Sequence, residues 1–375
     1  MSNGVIKNEN QKQALEQFKK YIELAEKLKD ANDYDNALKY YLRALRICIK
    51  LYGRNHSSTE AIYNNIAVMY AEEGKFDKAL NLYKKVLINS GKESDENRKD
   101  FAATYNNMAV VYADQGDYEK ALEYYGKALE TFENRNKELD ENSKDIAATY
   151  NNMAVVYRNQ GDYEKALEYY GKALETFENR NNELNKNSID TAATFNNVAV
   201  VYADQGDYKK ALEYYKKALV INEKELGNYH PDTAATYNNI ALVYDALGDY
   251  QIALEYYKKA IEISKNVLGR NHPSTASTYN NIASMYSKMG DYNRALEYYH
   301  MAYDIRKKIL GQDHPDTATI LNNIGILYYR MCNYLSAERY LQEAYDSFKK
   351  SLGSDHPNTK NTLNSLETVK KNIPK

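Results

Sequence analysis

Three residue types recur at fixed spacing and could do chemistry: histidine, tyrosine and asparagine. Imidazoles offer metal ligands and general bases, phenols offer stacking faces, and carboxamides carry a donor and an acceptor on one group. Five of the six histidines (His56, His230, His272, His314 and His356) hold the same place in a repeating string, and His300 stands apart. They are spread along the chain and cannot gather around one metal, so a polar helix-start residue packing on the next unit is the expectation. No glycine-rich phosphate loop, nucleophile elbow or paired metal-ligand motif is present. Catalysis, a metal and a cofactor are therefore not expected.

Tyrosine numbers 39 and tryptophan is absent. The pairs Tyr124-Tyr125, Tyr169-Tyr170, Tyr214-Tyr215, Tyr256-Tyr257 and Tyr298-Tyr299 fall on helical segments. The second member takes the packed position, and the first is expected half exposed on the outer side. Stacking on nucleic acid would need a basic groove, and the net charge is −2. Nucleic acid and anionic membrane are accordingly excluded as partners.

The asparagines come doubled at Asn64-Asn65, Asn106-Asn107, Asn151-Asn152, Asn196-Asn197, Asn238-Asn239, Asn280-Asn281 and Asn322-Asn323. Asparagine inside a helix is less favourable than alanine by up to ~0.7 kcal/mol, so seven doubled placements want a reason. In Tyr237 to Tyr244, the residues Tyr237, Ile240, Ala241 and Tyr244 share one helical face. Asn238 and Asn239 flank the opposite side, with Leu242 between them.

The elements that position these residues are repeats. Gly-Asp-Tyr recurs with its glycine at Gly116, Gly161, Gly206, Gly248 and Gly290, with variants at Asn32, Gly74 and Cys332. The spacings are 42, 42, 45, 45, 42, 42 and 42 residues, which makes eight units. Each unit reads as two helices, because a second apolar face (Ala253, Tyr257, Ala260) follows the glycine. The glycine sits where the chain must reverse through a left-handed backbone angle. At Cys332 that angle is unfavourable, and Asn333 offers to shift the turn by one residue. The link Leu268 to Thr275 has a glycine to end one helix and Pro273 for the first turn of the next. Residues 102–136 and 147–181 are nearly one sequence and suggest an internal duplication. Their loops, 134–145 and 179–190, are the expected flexible segments.

The order aromatic, Leu/Ile, Ala/Gly, Tyr, then Gly, then Ala and Tyr resembles the tetratricopeptide repeat over about residues 18–359. Diverged units keep it, as Tyr21, Leu24, Ala25 and Leu28, and as Leu321, Ile324, Gly325 and Tyr328. With a 42-residue period, Leu-Gly-x-x-His-Pro links and doubled asparagines, the chain is similar to the kinesin light chain class of these repeats. No long heptad segment precedes the repeats, so motor attachment does not carry over. The resemblance implies an all-α right-handed superhelix, a solenoid of eight helix-turn-helix repeats plus a C-terminal capping helix. The expected boundaries are a polar N-terminal segment entering the first helix (1–17), then repeats 18–59, 60–101, 102–146, 147–191, 192–233, 234–275, 276–317 and 318–359, and a cap, 360–375. The eight residues beyond the common period are expected to lengthen the second helix by about two turns.

In this family the asparagine side of the first helix lines a concave groove, which implies a protein or peptide partner. The expected site is the seven asparagine pairs, acting as a ladder on a peptide backbone. A floor of Val68, Val110, Val155, Val200, Leu242 and Ile326 accompanies it, with Ser284 the exception. Acidic Glu72, Asp114, Asp204 and Asp245 lie one turn on, followed by basic Lys288 and Arg330, as if for a charge-polarised ligand. A competing reading has one asparagine of each pair bond a neighbouring first helix. Two other functions remain open: a self-associating homo-oligomer docked through the outer tyrosines or the end repeats, and a regulatory or sensor subunit that closes on a small ligand. Cys48 and Cys332 form no disulfide or zinc pattern. Met1 to Gln13 is polar, and no apolar run is long enough to span a bilayer. A cytoplasmic location is the expectation.

Overall fold

The computed structural model describes residues 2–30, 33–90, 99–133, 139–178 and 188–373. Among the described residues every helix is α, and there are seventeen. The chain divides into two compact units, Met1–Lys186 and Asn187–Lys375. The first holds α1 (Ser2–Asp30), α2 (Tyr34–Tyr52), α3 (Ser57–Glu72), α4 (Phe76–Ser90), α5 (Lys99–Asp114), α6 (Tyr118–Glu133), α7 (Leu139–Asn159) and α8 (Tyr163–Glu178). The second holds α9 (Ile189–Asp204), α10 (Tyr208–Glu225), α11 (Pro231–Leu247), α12 (Tyr250–Val267), α13 (Pro273–Met289), α14 (Tyr292–Leu310), α15 (Pro315–Arg330), α16 (Tyr334–Leu352) and α17 (Pro357–Asn372). Odd numbers are first helices and even numbers second helices, and each first helix packs on the second helix of its own repeat.

Each residue of Gly-Asp-Tyr has its own task. Gly248 and Gly290 end α11 and α13 at φ 82° and 80°. The next residue opens the second helix: Asp207 accepts from the Lys210 N–H at 3.1 Å and Asp291 from the Arg294 N–H at 3.1 Å. Such a cap satisfies one of the orphan donors of the helix start. The tyrosine is the first residue of that helix. In repeat eight the turn does not shift: Cys332 itself takes φ 59°, and Asn333 caps α16 by accepting from the Ser336 N–H.

The His-Pro links work in the same way. Gly269 and Gly311 take φ 95° and 86°. The histidines are N-caps, with Nδ1 of His56, His230, His272, His314 and His356 each accepting a backbone N–H at 3.2 Å. Proline follows as the first helical residue in four of these five helices. Thr233, Thr317 and Thr359 then donate back to the carbonyls of Gly227, Gly311 and Gly353.

Two expectations about lengths change. The second helix of repeat seven exceeds the first by only two residues, 19 against 17, so the long period is shared between both helices and the link. Of the loops at 134–145 and 179–190, residues 134–138 and 179–187 lie outside the described residues. Leu139 to Asp145 belong to α7, and Ser188 caps α9 through the Thr191 N–H. The cap helix starts at Pro357, and its Leu366 and Val369 are buried against Ala337 and Leu341. The segment before residue 18 is helical from Ser2.

Two stability predictions follow from the turns and caps. A left-handed non-glycine residue costs roughly 1–2 kcal/mol, against which glycine loses more chain entropy. Cys332→Gly is expected to raise the urea midpoint, by about 0.5–1 kcal/mol, with an unchanged slope. His272 accepts through Nδ1 and so caps as the neutral ring, and burial, then Arg306, holds its pKa below the ordinary value. Its contribution is whole above about pH 6.5 and is lost as pH falls through the lowered folded value. His272→Asn caps without titrating, so from about pH 7.5 to 5 the unfolding midpoint of the wild type should fall relative to that variant.

Candidate functional site

Within each unit, first helices of neighbouring repeats touch directly: α3 with α5, α5 with α7, α11 with α13, and α15 with α17. That side of each stack is the closely spaced side, and it carries the asparagines. All fourteen are half-buried.

The two members of a pair behave differently. The first reaches the next first helix. Asn64 Nδ2 donates to Thr104 Oγ1 at 3.2 Å, Asn106 to Thr149 at 2.8 Å and Asn196 to Thr236 at 3.1 Å, and Thr362 donates to Asn322 Oδ1 at 3.1 Å. Thr149 and Thr236 pass their own protons to the carbonyls of Asp145 and Asp232, which leaves lone pairs for the amides. These threonines are buried. The competing reading of the asparagine pair thus describes its first member. Asn238 and Asn280 instead accept from Asn281 and Asn323 at 3.2 and 3.1 Å. Asn151 holds the same position in α7.

The second members are looser. Asn65 lies 3.5 Å from Glu26 Oε1, at the edge of bonding. Among the described residues, Asn107, Asn152, Asn197 and Asn239 make no side-chain hydrogen bond. Four half-buried amides therefore stand with donors and acceptors unengaged, two in each unit.

The threonines were not singled out from the sequence. Their signal was there, since Thr104, Thr149, Thr194, Thr236, Thr278 and Thr362 each stand two residues before an asparagine. Ile62 and Ile320 break the pattern. Asn280, which faces Ile320, accepts from Asn323, just as Asn238 accepts from Asn281 although Thr278 is present.

The apolar positions sit as expected beside the amides. Val110 and Leu242 are about 40% exposed, and Val68, Val155, Val200, Ser284 and Ile326 are half-buried. The charges differ from expectation at one place. Counted from the turn, Asp245 is one residue out of register with Asp204 and Lys288, so its side chain rotates inward and is 4% exposed. Lys288 then pairs with it at 2.8 Å, and Arg330 donates to Ser287 Oγ at 2.9 Å. In the first unit the Asp114 carboxyl is pushed above its ordinary value by burial and then by Glu72.

The tyrosine pairs are packing residues. The second members are at most 5% exposed where quantified, as in Tyr125, Tyr170, Tyr257 and Tyr299. Burial pushes the Tyr170 hydroxyl up to about 12. The first members are half-buried, as expected, and their rings lie against tyrosines of the first helix. Tyr124 stacks on Tyr112 at 5.3 Å and tilts against Tyr105 at 6.1 Å, and Tyr256 sits likewise between Tyr244 and Tyr237. These separations suit favourable ring pairs, and they engage the rings on which outer self-association would depend. His300 lies 6.3 Å from Tyr340.

Helix pairs of this period, stacked through first-helix contacts with alanines and tyrosines between them, define an α-α repeat protein. The chain belongs to the tetratricopeptide repeat family, whose model matches residues 24–87, 100–179, 190–266, 246–308, 274–350 and 316–370, with a second tetratricopeptide model at 151–225. No curated protein matches the chain. Among solved structures it is similar to a Rap protein complexed with Competence and Sporulation Factor, at 17% identity and TM-score 0.56, over 95% of this chain and 98% of that one. It is also similar to a Signal Transduction ATPase with Numerous Domains bearing a tetratricopeptide repeat sensor, from Pyrococcus horikoshii. That match has 17% identity and TM-score 0.55, over 90% of this chain and 49% of that one. BtubC (BKLC) from P. vanneervenii matches at 23% identity and TM-score 0.48, over 70% and 94%. Among the described residues no helix is long and apolar enough to cross a membrane.

The two members of a pair should separate in a stability experiment. Asn196→Ala removes one of the two amides that Thr236 accepts, Asn222 supplying the other, and is expected to cost about 1 kcal/mol in chemical denaturation. Asn197→Ala should stay within about 0.5 kcal/mol of wild type. Equal losses in the two variants would remove the distinction.

Proposed function

We propose that the chain is a protein-interaction scaffold whose first-helix face binds an extended polypeptide segment of a partner. The observation that carries this reading is the set of unengaged amides at Asn107, Asn152, Asn197 and Asn239 beside a partly exposed apolar floor. A carboxamide can give to a backbone carbonyl and take from a backbone N–H at once, which suits a main chain and ignores its side chains. Packed helices lie about 8–10 Å apart and an extended chain rises about 3.3 Å per residue. One asparagine would therefore meet about every third ligand residue. Within each unit the first asparagine of a pair supports this role indirectly, by fixing one first helix against the next. Membership of the tetratricopeptide family and the likeness in fold to a Rap protein solved in complex with Competence and Sporulation Factor agree with it.

Each amide bond contributes roughly 0.5–1.5 kcal/mol net. Peptides selected from a random library on the wild type should therefore bind Asn197→Ala/Asn239→Ala about five- to a hundredfold more weakly. The measurement is a fluorescence titration of each selected peptide, with thermal melting as the control for an intact fold. Equal affinity for a folded double variant would sink the proposal.

A further inference from the structure

Seven of the eight second helices carry a tyrosine nine residues after the turn residue: Tyr41, Tyr83, Tyr125, Tyr170, Tyr215, Tyr257 and Tyr299. All are at most 5% exposed. Within each unit such a ring fills the space between its own first helix and the next. Tyr125 clusters with Met153 and Val156, Tyr215 with Ile240 and Val243, and Tyr257 with Ile282 and Met285. The eighth repeat has Leu341 at that position and Gly325 where the other repeats have a facing alanine. A Cβ on Gly325 would lie 2.6 Å from Leu341 Cγ, so the leucine leans into the space the missing methyl leaves.

The tyrosine's seat is consequently open. A cavity of about 340 Å³ lies there, lined by Ile326, Tyr329 and Leu341 and, from α17, by Asn364, Ser365, Thr368 and Val369. Val369 is in register with Met285 and Val243, the floor of the filled seats. Ile326 is in register with Leu242, and Ser365 with Asn239, so the cavity opens on the asparagine face. Its lining is mainly apolar, and its size is at the low end of sites that hold small ligands. The Ser365 hydroxyl donates to the Asn361 carbonyl, which leaves its lone pairs free to accept. Among the described residues, the Asn364 amide makes no hydrogen bond.

We propose that this cavity receives one aromatic side chain, tyrosine or phenylalanine, of the polypeptide that lies along the asparagine face. The repeat itself supplies the template, because seven copies show that a phenol ring fits this space. The continuity of Ile326 and Ser365 with the groove favours a ring borne by a bound chain. The occupant rests on the groove reading given above; the existence of the cavity does not.

The test uses p-cresol, the tyrosine side chain in isolation, and two blocked 29-residue peptides of glycine and serine with a central tyrosine or a central alanine, whose arms at about three residues per repeat reach past Asn239 and Asn197. Binding is followed by ligand-observed NMR on the whole chain, the variants Leu341→Tyr and Leu341→Phe, and Asn197→Ala/Asn239→Ala. Saturable p-cresol binding is expected, weakened at least tenfold in both Leu341 variants, whose melting temperatures rise as the seat fills. The tyrosine peptide should bind at least tenfold more tightly than p-cresol or the alanine peptide. Absence of saturable p-cresol binding, or equal binding to a folded Leu341 variant, overturns the proposal. A tyrosine peptide no tighter than p-cresol overturns the polypeptide as the source of the ring. Failure of the groove reading would show separately, as peptide affinity unchanged in the asparagine variant while the Leu341 variants still lose p-cresol.

Discussion

A tyrosine ring closed in by three helices is the contact on which the rest of the stack depends. Tyr257 lies on α12, and the cluster it belongs to runs from α11 through to α15. The alanines at Ala241, Ala253 and Ala260 let the backbones approach closely enough to bury the ring. A buried aromatic removes about 150–250 Å² from water, worth several kcal/mol at about 25 cal/mol per Å². An Asn–Thr bond contributes about 1 kcal/mol. The rings therefore supply most of the cohesion, while the amide bonds fix which turn of one first helix faces which turn of the next. A hydrogen bond suits that second task because it is directional and hydrophobic contact is not.

The sequence showed the parts of the molecule that recur locally. The period, the two helices of each unit and the glycine turns follow from residues within a dozen positions of one another. So does the helix-start place of His56, His230, His272, His314 and His356, although their role as acceptors for backbone N–H groups required the geometry. What could not be read depends on partners about forty residues away. Asn196 and Asn197 look alike in sequence, and only the position of Thr236 makes one a bridge and leaves the other unengaged. Asp245 was misplaced for a different reason. One residue of register is about 100° around a helix, enough to turn a carboxylate from the face into the interior, where Lys288 meets it. Helical angle alone places Tyr124 toward the outside, and the rings of Tyr105 and Tyr112 that lie against it come from the partner helix.

In the pairs that hold Asn107, Asn152, Asn197 and Asn239, the engaged and the unengaged amide would support one another. An amide that must bond a ligand gains by being held in place beforehand, since ordering a side chain on binding costs about 0.5–1.5 kcal/mol. The bridge from Asn196 to Thr236 ties down the backbone next to Asn197, and the half-buried setting narrows the freedom of the Asn197 side chain. On the proposed function the doubled asparagine is one device, a clamp between helices beside a contact for the ligand, and that reading would account for the pair recurring despite its poor helix propensity.

A ladder of identical amides has a weakness that constrains where selectivity can reside. If each repeat presents the same groups, a ligand displaced by one repeat makes the same bonds, and its register is undefined. Residues 102–136 and 147–181 are so alike that they cannot tell one such register from the next. Discrimination must come from places where the repeat is broken. In the second unit these are Ser284 in the apolar row, the buried Asp245 with its Lys288, and the Gly325 and Leu341 pair that leaves a tyrosine's seat unfilled. Deviations that would count as imperfections in a purely structural stack are, on a binding face, the only features by which a ligand can find its place.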